Sequence, residues 1–153
     1  MRSARHRGFT LIELIVTVMV ISILVGLAVP LARNSIKRQK EVELRTALRE
    51  MRTAIDKFKD LSDRGLIMVK VGTEGYPETL QVLVEGVQLV GQVDKKAKFL
   101  RRIPIDPMTN DTEWGLRSYQ DKPDSSSWGG QNVFDVYTKS GATALDGTKY
   151  RDW

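Results

Sequence analysis

The hydrophobic pattern changes twice along the chain. From Phe9 to Ala32 (FTLIELIVTVMVISILVGLAVPLA) the positions are almost all apolar, with one charge, Glu13, in 24 residues. A helix of that length is roughly 36 Å at ~1.5 Å per residue, enough for a ~30 Å hydrocarbon core, so the run predicts a transmembrane helix. Beyond Pro30 the apolar residues thin to Leu44, Leu48, Met51, Ile55 and Phe58, at alternating spacings of four and three. That is one stripe of an amphipathic helix. Arg45, Arg49, Glu50, Arg52, Lys57 and Lys59 fall on its other faces. They read as a solvated surface, with headgroup contact or subunit pairing as the alternative. Gly65 is the expected stop, which makes 9–64 a single long helix. Its second half needs a sheet to cover the stripe.

The remaining pattern is short and broken. Tyr76-Pro77-Glu78 opens a helical turn with Leu80, Leu83 and Val84 on one side and Gly86 as its end, Pro77 suiting a first helical position. Lys95 to Arg102 is a basic patch, read as solvated surface or as a phosphate site. It leads into Ile103-Pro104-Ile105-Asp106-Pro107, whose prolines predict a rigid extended connector. Met108 to Asp111 reads as a turn. Residues 114–120 and 132–139 read as strands, joined by a Pro/Asp/Ser/Gly loop at 121–131. Asp146-Gly147 marks a turn in a tail that adds a last short strand.

Charge sharpens this picture. The formal net charge is +5, but it is not spread evenly. Residues 1–8 carry Arg2, Arg5 and Arg7 and no acid, residues 33–65 are net basic, and residues 66–153 are close to neutral. A basic face on the folded domain is what nucleic acid would require. The charge flanks the apolar run instead, which argues for a membrane and against nucleic acid. Basic residues stand on both sides of that run, so the positive-inside rule gives no orientation. There is no cysteine, and the only histidine is His6. Disulfides, thiolate metal centres and most histidine-dependent catalysis are excluded. No carboxylate pair or Ser/Lys constellation stands out, so the reading is non-enzymatic.

Glu13 is the informative anomaly. A carboxylate at mid-bilayer costs roughly 2.5–3.5 kcal/mol on insertion scales and less near an end. Either it sits at headgroup level, or it has a cationic partner. Cleavage between Gly8 and Phe9 would create one, the α-amino group of Phe9. An ordinary secretory signal is the competing reading, with Gly26-Leu27-Ala28 as its cleavage site and Val29 as the new N-terminus. The apolar run is longer than the ~7–15 residues such signals use. Farther along, Pro30 cannot donate to the carbonyl of Gly26. That pair is a weak point in the helix or a passive kink.

Arg7-Gly8-Phe9-Thr10-Leu11-Ile12-Glu13 resembles the signal of type IV pilins and type II secretion pseudopilins. The resemblance implies an α+β pilin-like fold, a long N-terminal helix packed on a small C-terminal antiparallel sheet. It implies a leader, 1–8, removed by a prepilin peptidase, N-methylation of Phe9, and a role for Glu13 in subunit assembly. Residues 9–32 would be the transmembrane and assembly half of the helix, able to unwind near Gly26 and Pro30. Residues 33–153 would be a periplasmic domain on the bacterial inner membrane. Tyr76-Pro77-Glu78, Leu100 to Pro107, Trp114-Gly115 and Phe134-Asp135-Val136 look like the major pseudopilin of type II secretion. The implied partners are further copies of the chain, minor pseudopilins and the inner-membrane assembly platform. A type IV pilin for adhesion, motility or DNA uptake is the alternative. The resemblance also implies one Ca²⁺ in the C-terminal loop. The tail offers Asp146 and Asp152 as acids, without the family's denser acidic cluster, and Asp146 as a turn residue is the alternative.

Overall fold

The computed structural model describes residues 8–92 and 95–153, the side chains of 27–32 excepted. The basic leader before Gly8 lies outside the described residues. The chain divides into two compact units, 1–38 and 39–153.

The first element is a helix, α1 (Leu11–Asp63). Its C-terminus is where the glycine predicts. Gly65 adopts φ +66°, its N–H donates to the Ser62 carbonyl at 2.9 Å, and the Leu66 N–H donates to Leu61 at 3.0 Å. These two bonds close the helix in a Schellman motif. The stripe is also as expected: Leu44, Leu48, Met51, Ile55 and Phe58 are all buried. They pack with Ile67, Leu80, Leu83, Leu100, Trp114, Val133, Val136 and Tyr150 in one core. Fully burying each such side chain contributes about 1.5–3 kcal/mol, so this face is a large contribution to the stability of the second unit.

The smaller elements depart from the pattern. Helix α2 is Leu80–Glu85, preceded by Thr79 in extended backbone with no side-chain capping bond, and ended by Gly86 at φ +80°. Pro77 is therefore not its first residue; it is buried upstream, and its carbonyl accepts the Val133 N–H at 2.7 Å. Strands β1 (Val87–Gln88) and β2 (Lys96–Ala97) form an antiparallel pair. Part of the basic patch is thus strand, a pairing too short to show as alternation. Strands β3 (Gly115–Arg117) and β4 (Asp135–Tyr137) pair antiparallel with Leu116 opposite Val136. They are shorter than the runs that predicted them, because beyond Arg117 the two runs are joined through the side chains of Ser118 and Asn132. The Ser118 hydroxyl donates to the Asn132 carbonyl at 3.0 Å, and Asn132 Oδ1 accepts the Tyr119 N–H at 2.9 Å. Gly115 is required by packing, since a Cβ there would lie 2.3 Å from the Tyr137 ring. The tail ends in a 3-10 turn, Tyr150–Asp152, where a strand was expected. A single bridge between Thr143 and Lys149 precedes it.

The extended connector and its turn are as expected, and their anchor is Asp106, which is fully buried. Its Oδ1 accepts the Met108 N–H at 2.8 Å, and its Oδ2 accepts the Thr138 hydroxyl. Its N–H donates to Asp111 at 2.7 Å, and its carbonyl accepts from Asn110 at 2.7 Å. Asn110 takes a left-handed φ of +59°, a conformation asparagine tolerates.

Candidate functional site

The head of α1 is built by a cap. Thr10 stands just before the helix; its carbonyl accepts the Leu14 N–H at 3.1 Å, and its hydroxyl accepts the Glu13 N–H at 3.3 Å. Thr10-Leu11-Ile12-Glu13 has the S/T-x-x-E spacing of a capping box. Glu13 therefore occupies the first helical turn, where the positive end of the helix dipole favours a carboxylate. The T-x-x-E spacing of the cap is present in the sequence, inside the same stretch that carries the charge.

Gly8, Phe9 and Thr10 are in irregular backbone and exposed. Gly8 has nothing within 4 Å of the position a side chain would take, and Phe9 is 79% exposed. The bond between them is therefore sterically open and not protected by helical hydrogen bonds. Downstream, Leu11, Ile12, Leu14, Ile15, Val16, Val18 and the apolar residues up to Val25 are each at least half exposed. Among the described residues of this unit, none of these apolar positions is buried. The polar side chains within it turn back onto the helix. Thr17 donates to the Leu14 carbonyl at 2.9 Å, and Ser22 to the Val18 carbonyl at 2.8 Å.

Among the described residues no helix is long and apolar enough to cross a membrane. The expected span, 9–32, extends beyond Gly26 into residues whose side chains are not described. The helix is continuous through Gly26 and Pro30, and the Pro30 side chain lies outside the described residues.

The tail carries the two acids proposed for calcium. Asp146 Oδ1 accepts the Thr148 N–H at 2.9 Å and hydroxyl at 2.6 Å, and its Oδ2 lies 3.6 Å from Arg45 Nη2. The Thr148 bonds, with a smaller contribution from Arg45, hold its carboxyl below the ordinary aspartate range. Asp152 is exposed on the 3-10 turn. Among the described residues no three His, Asp or Glu side chains converge as a metal site. Calcium wants six to eight oxygens. The tail's donor set does not fit it, and Asp146 is a turn residue.

Two of the cations assigned to a solvated helix surface are tertiary contacts. Arg52 Nε donates to Asp135 at 2.7 Å, and its Nη2 donates to the Val136 and Trp153 carbonyls at 3.1 and 2.7 Å. The Arg45 guanidinium lies 3.8 Å from the Trp153 ring centroid. Only their distance in sequence from these partners hid them.

A long helix with a bare apolar head, an open Gly8–Phe9 bond and a small α+β unit define a pilin-like subunit. A prokaryotic N-terminal methylation motif matches residues 3–29. The type II secretion system core protein G of Escherichia coli (strain K12) is 30% identical over 112 residues, spanning 70% of each chain. The type IV major pilin protein PilA of Myxococcus xanthus (strain DK1622) is 44% identical over 63 residues, 39% of this chain and 27% of that one. No solved structure matches the chain significantly. The chain belongs to the family of type II secretion system core protein G.

Proposed function

We propose that this chain is the major pseudopilin of a type II secretion system, a structural and non-enzymatic subunit that polymerises into a periplasmic fibre driving protein export. The observation that carries this reading is the apolar head of α1, exposed on every face and preceded by an accessible Gly8–Phe9 bond. Apolar surface of this extent needs cover from lipid or from other copies. Cleavage after Gly8 and methylation of Phe9 by a prepilin peptidase leave an amine close to Glu13. In the membrane, with 9–32 spanning and 33–153 in the periplasm, that amine and a neighbour's Glu13 neutralise one another as subunits pack. Unwinding between Gly26 and Pro30 lets the helix adjust as it leaves the bilayer for the fibre. Minor pseudopilins and the inner-membrane assembly platform are the further partners of this reading. The type IV pilin alternative has the weaker support, since its similarity extends over 39% of the chain against 70%.

Glu13→Leu tests the proposal. The variant is expected to be cleaved normally and to accumulate in the membrane, yet to be absent from sheared fibres. Incorporation at the wild-type level would overturn the assembly role.

A further inference from the structure

Three side chains of α1, Glu41, Arg45 and Arg52, stand at i, i+4 and i+11, which places them on one helical face. All three reach the C-terminal segment. Glu41 Oε1 accepts the Leu145 N–H at 2.8 Å and the Tyr150 hydroxyl at 2.9 Å. Arg45 sits between the Asp146 carboxylate and the Trp153 ring, a cation against both a charge and a π-face. Arg52 ties the Trp153 carbonyl to Asp135 and Val136 of β4.

The segment is also closed on itself. Ala144 and Thr148 are joined by a 2.7 Å backbone bond across the Gly147 turn, where φ is +88°. The Trp153 indole N–H donates to the Thr148 hydroxyl at 2.7 Å, and Trp153 meets Tyr150 edge-on at 5.1 Å. Tyr150 and Ala144 are buried beneath this turn.

The task of a loop calcium is to neutralise carboxylates and gather carbonyl oxygens. Here guanidinium groups face the oxygens such an ion would want: Arg45 the free oxygen of Asp146, Arg52 the carbonyls of Val136 and Trp153. A divalent ion at Asp146 would have to displace Thr148 from one oxygen and Arg45 from the other.

We infer that residues 142–153 are clamped to α1 by Glu41, Arg45 and Arg52, and that this clamp holds the C-terminal segment without a divalent cation. The clamp is covalently part of the chain, so tail order does not follow the calcium concentration outside the membrane.

The test uses the full chain in detergent micelles. Thermal unfolding and the rate of tryptic cutting at Lys149 and Arg151 are measured in a chelator and in calcium at about 5 mM, above the ~10⁻³ M dissociation constants of weak extracellular sites. The wild type is expected to melt within about 1 °C under both conditions, with unchanged cutting. A calcium-dependent rise of about 5 °C or more would overturn the inference, since a saturating ligand raises the midpoint by mass action. Glu41→Gln and Arg45→Gln, made singly and together, are expected to speed cutting at least ~10-fold by opening the tail locally, with no rescue by calcium. Arg45 is largely exposed, so its single variant folds and keeps the test decisive. Wild-type resistance in the double variant, or restoration of resistance by calcium, would equally overturn the clamp.

Discussion

Asp106 is expected to be the most sensitive polar residue of the second unit. It is fully buried, and its two carboxylate oxygens are acceptors for the Thr138 hydroxyl and the Met108 N–H. Hydrogen bonds to a charged group contribute about 1.5–3 kcal/mol each, and a donor left unpaired in the interior costs about 1–3 kcal/mol. Thr138 keeps part of its bonding after the loss, because its oxygen still accepts the Ser140 N–H at 3.1 Å. Removing the carboxylate also relieves the expense of burying an anion. The balance places Asp106→Ala at roughly 2–4 kcal/mol of destabilisation. Asp106→Asn retains an acceptor for Met108 and turns an amide toward the Thr138 oxygen, so it should cost only about half as much, roughly 1–2 kcal/mol.

At about 4 °C per kcal/mol, Asp106→Ala should melt about 8–16 °C below the wild type. The Trp114 indole donates to the Pro104 carbonyl at 2.9 Å, two residues before Asp106, so tryptophan emission reports on this turn directly. Denaturant titrations of the full chain in micelles would give the ranking Ala worse than Asn. Adding Thr138→Val completes a double-mutant cycle, in which a coupling of about 1 kcal/mol or more is expected. If Asp106→Ala falls within ~0.5 kcal/mol of wild type, the range of ordinary surface substitutions, or if the cycle shows no coupling, the turn is not held by this carboxylate.

Arg52→Met should lower the melting temperature by about 4–8 °C, because Asp135 would retain only Arg117 at 3.4 Å and two carbonyls would lose their donor; Arg49→Met, on the same helix, should change it by less than about 2 °C. Equal effects from the two would refute a tertiary role for Arg52. Burial, then the hydrogen bond to Glu41, pushes the Tyr150 phenol up to about 12. Because that value is above the ordinary one near 10, the folded state binds more protons between them, and stability should fall as pH rises from ~10 to ~12. Absorbance at the phenolate band should show Tyr150 titrating well above the ordinary tyrosine value, and Glu41→Gln should bring it down; a Tyr150 that ionises near 10 in the folded chain would contradict the contact.

What the sequence disclosed follows from the range of the interactions. The stripe from Leu44 to Phe58 is periodic, and the Gly65 stop and the apolar head are local, so each is legible in the sequence. Glu13 stands out because a charge within an apolar run is rare. The clamp was not legible. Glu41 reaches Tyr150 across 109 positions, and Arg52 reaches Asp135 across 83. Nothing in the local pattern separates Arg52 from Arg49, three residues before it. The two-residue strands were equally hidden, since alternation needs at least four positions to register.

The same difference explains how the second unit holds its shape with so little sheet. Two-stranded pairs are marginal alone, and here they are two and three residues long. The rest of 66–153 is connected by single polar residues that each serve several backbone groups. Asp106 sets the proline-flanked turn. Asn132 and Ser118 fix one end of the loop between β3 and β4, and Asp121 gathers the Ser118 and Gly129 N–H groups at 2.7 and 3.0 Å. Among the described residues no buried side-chain nitrogen or oxygen lacks a partner. A network satisfied to that degree is specific but brittle, because each member has few substitutes. The stripe on α1, in contrast, needs only apolar volume, so Leu48→Met or Ile55→Leu should be tolerated where Asp106→Leu is not. One face of a helix contributes apolar burial that tolerates exchange, and a handful of buried polar groups decides which fold receives it.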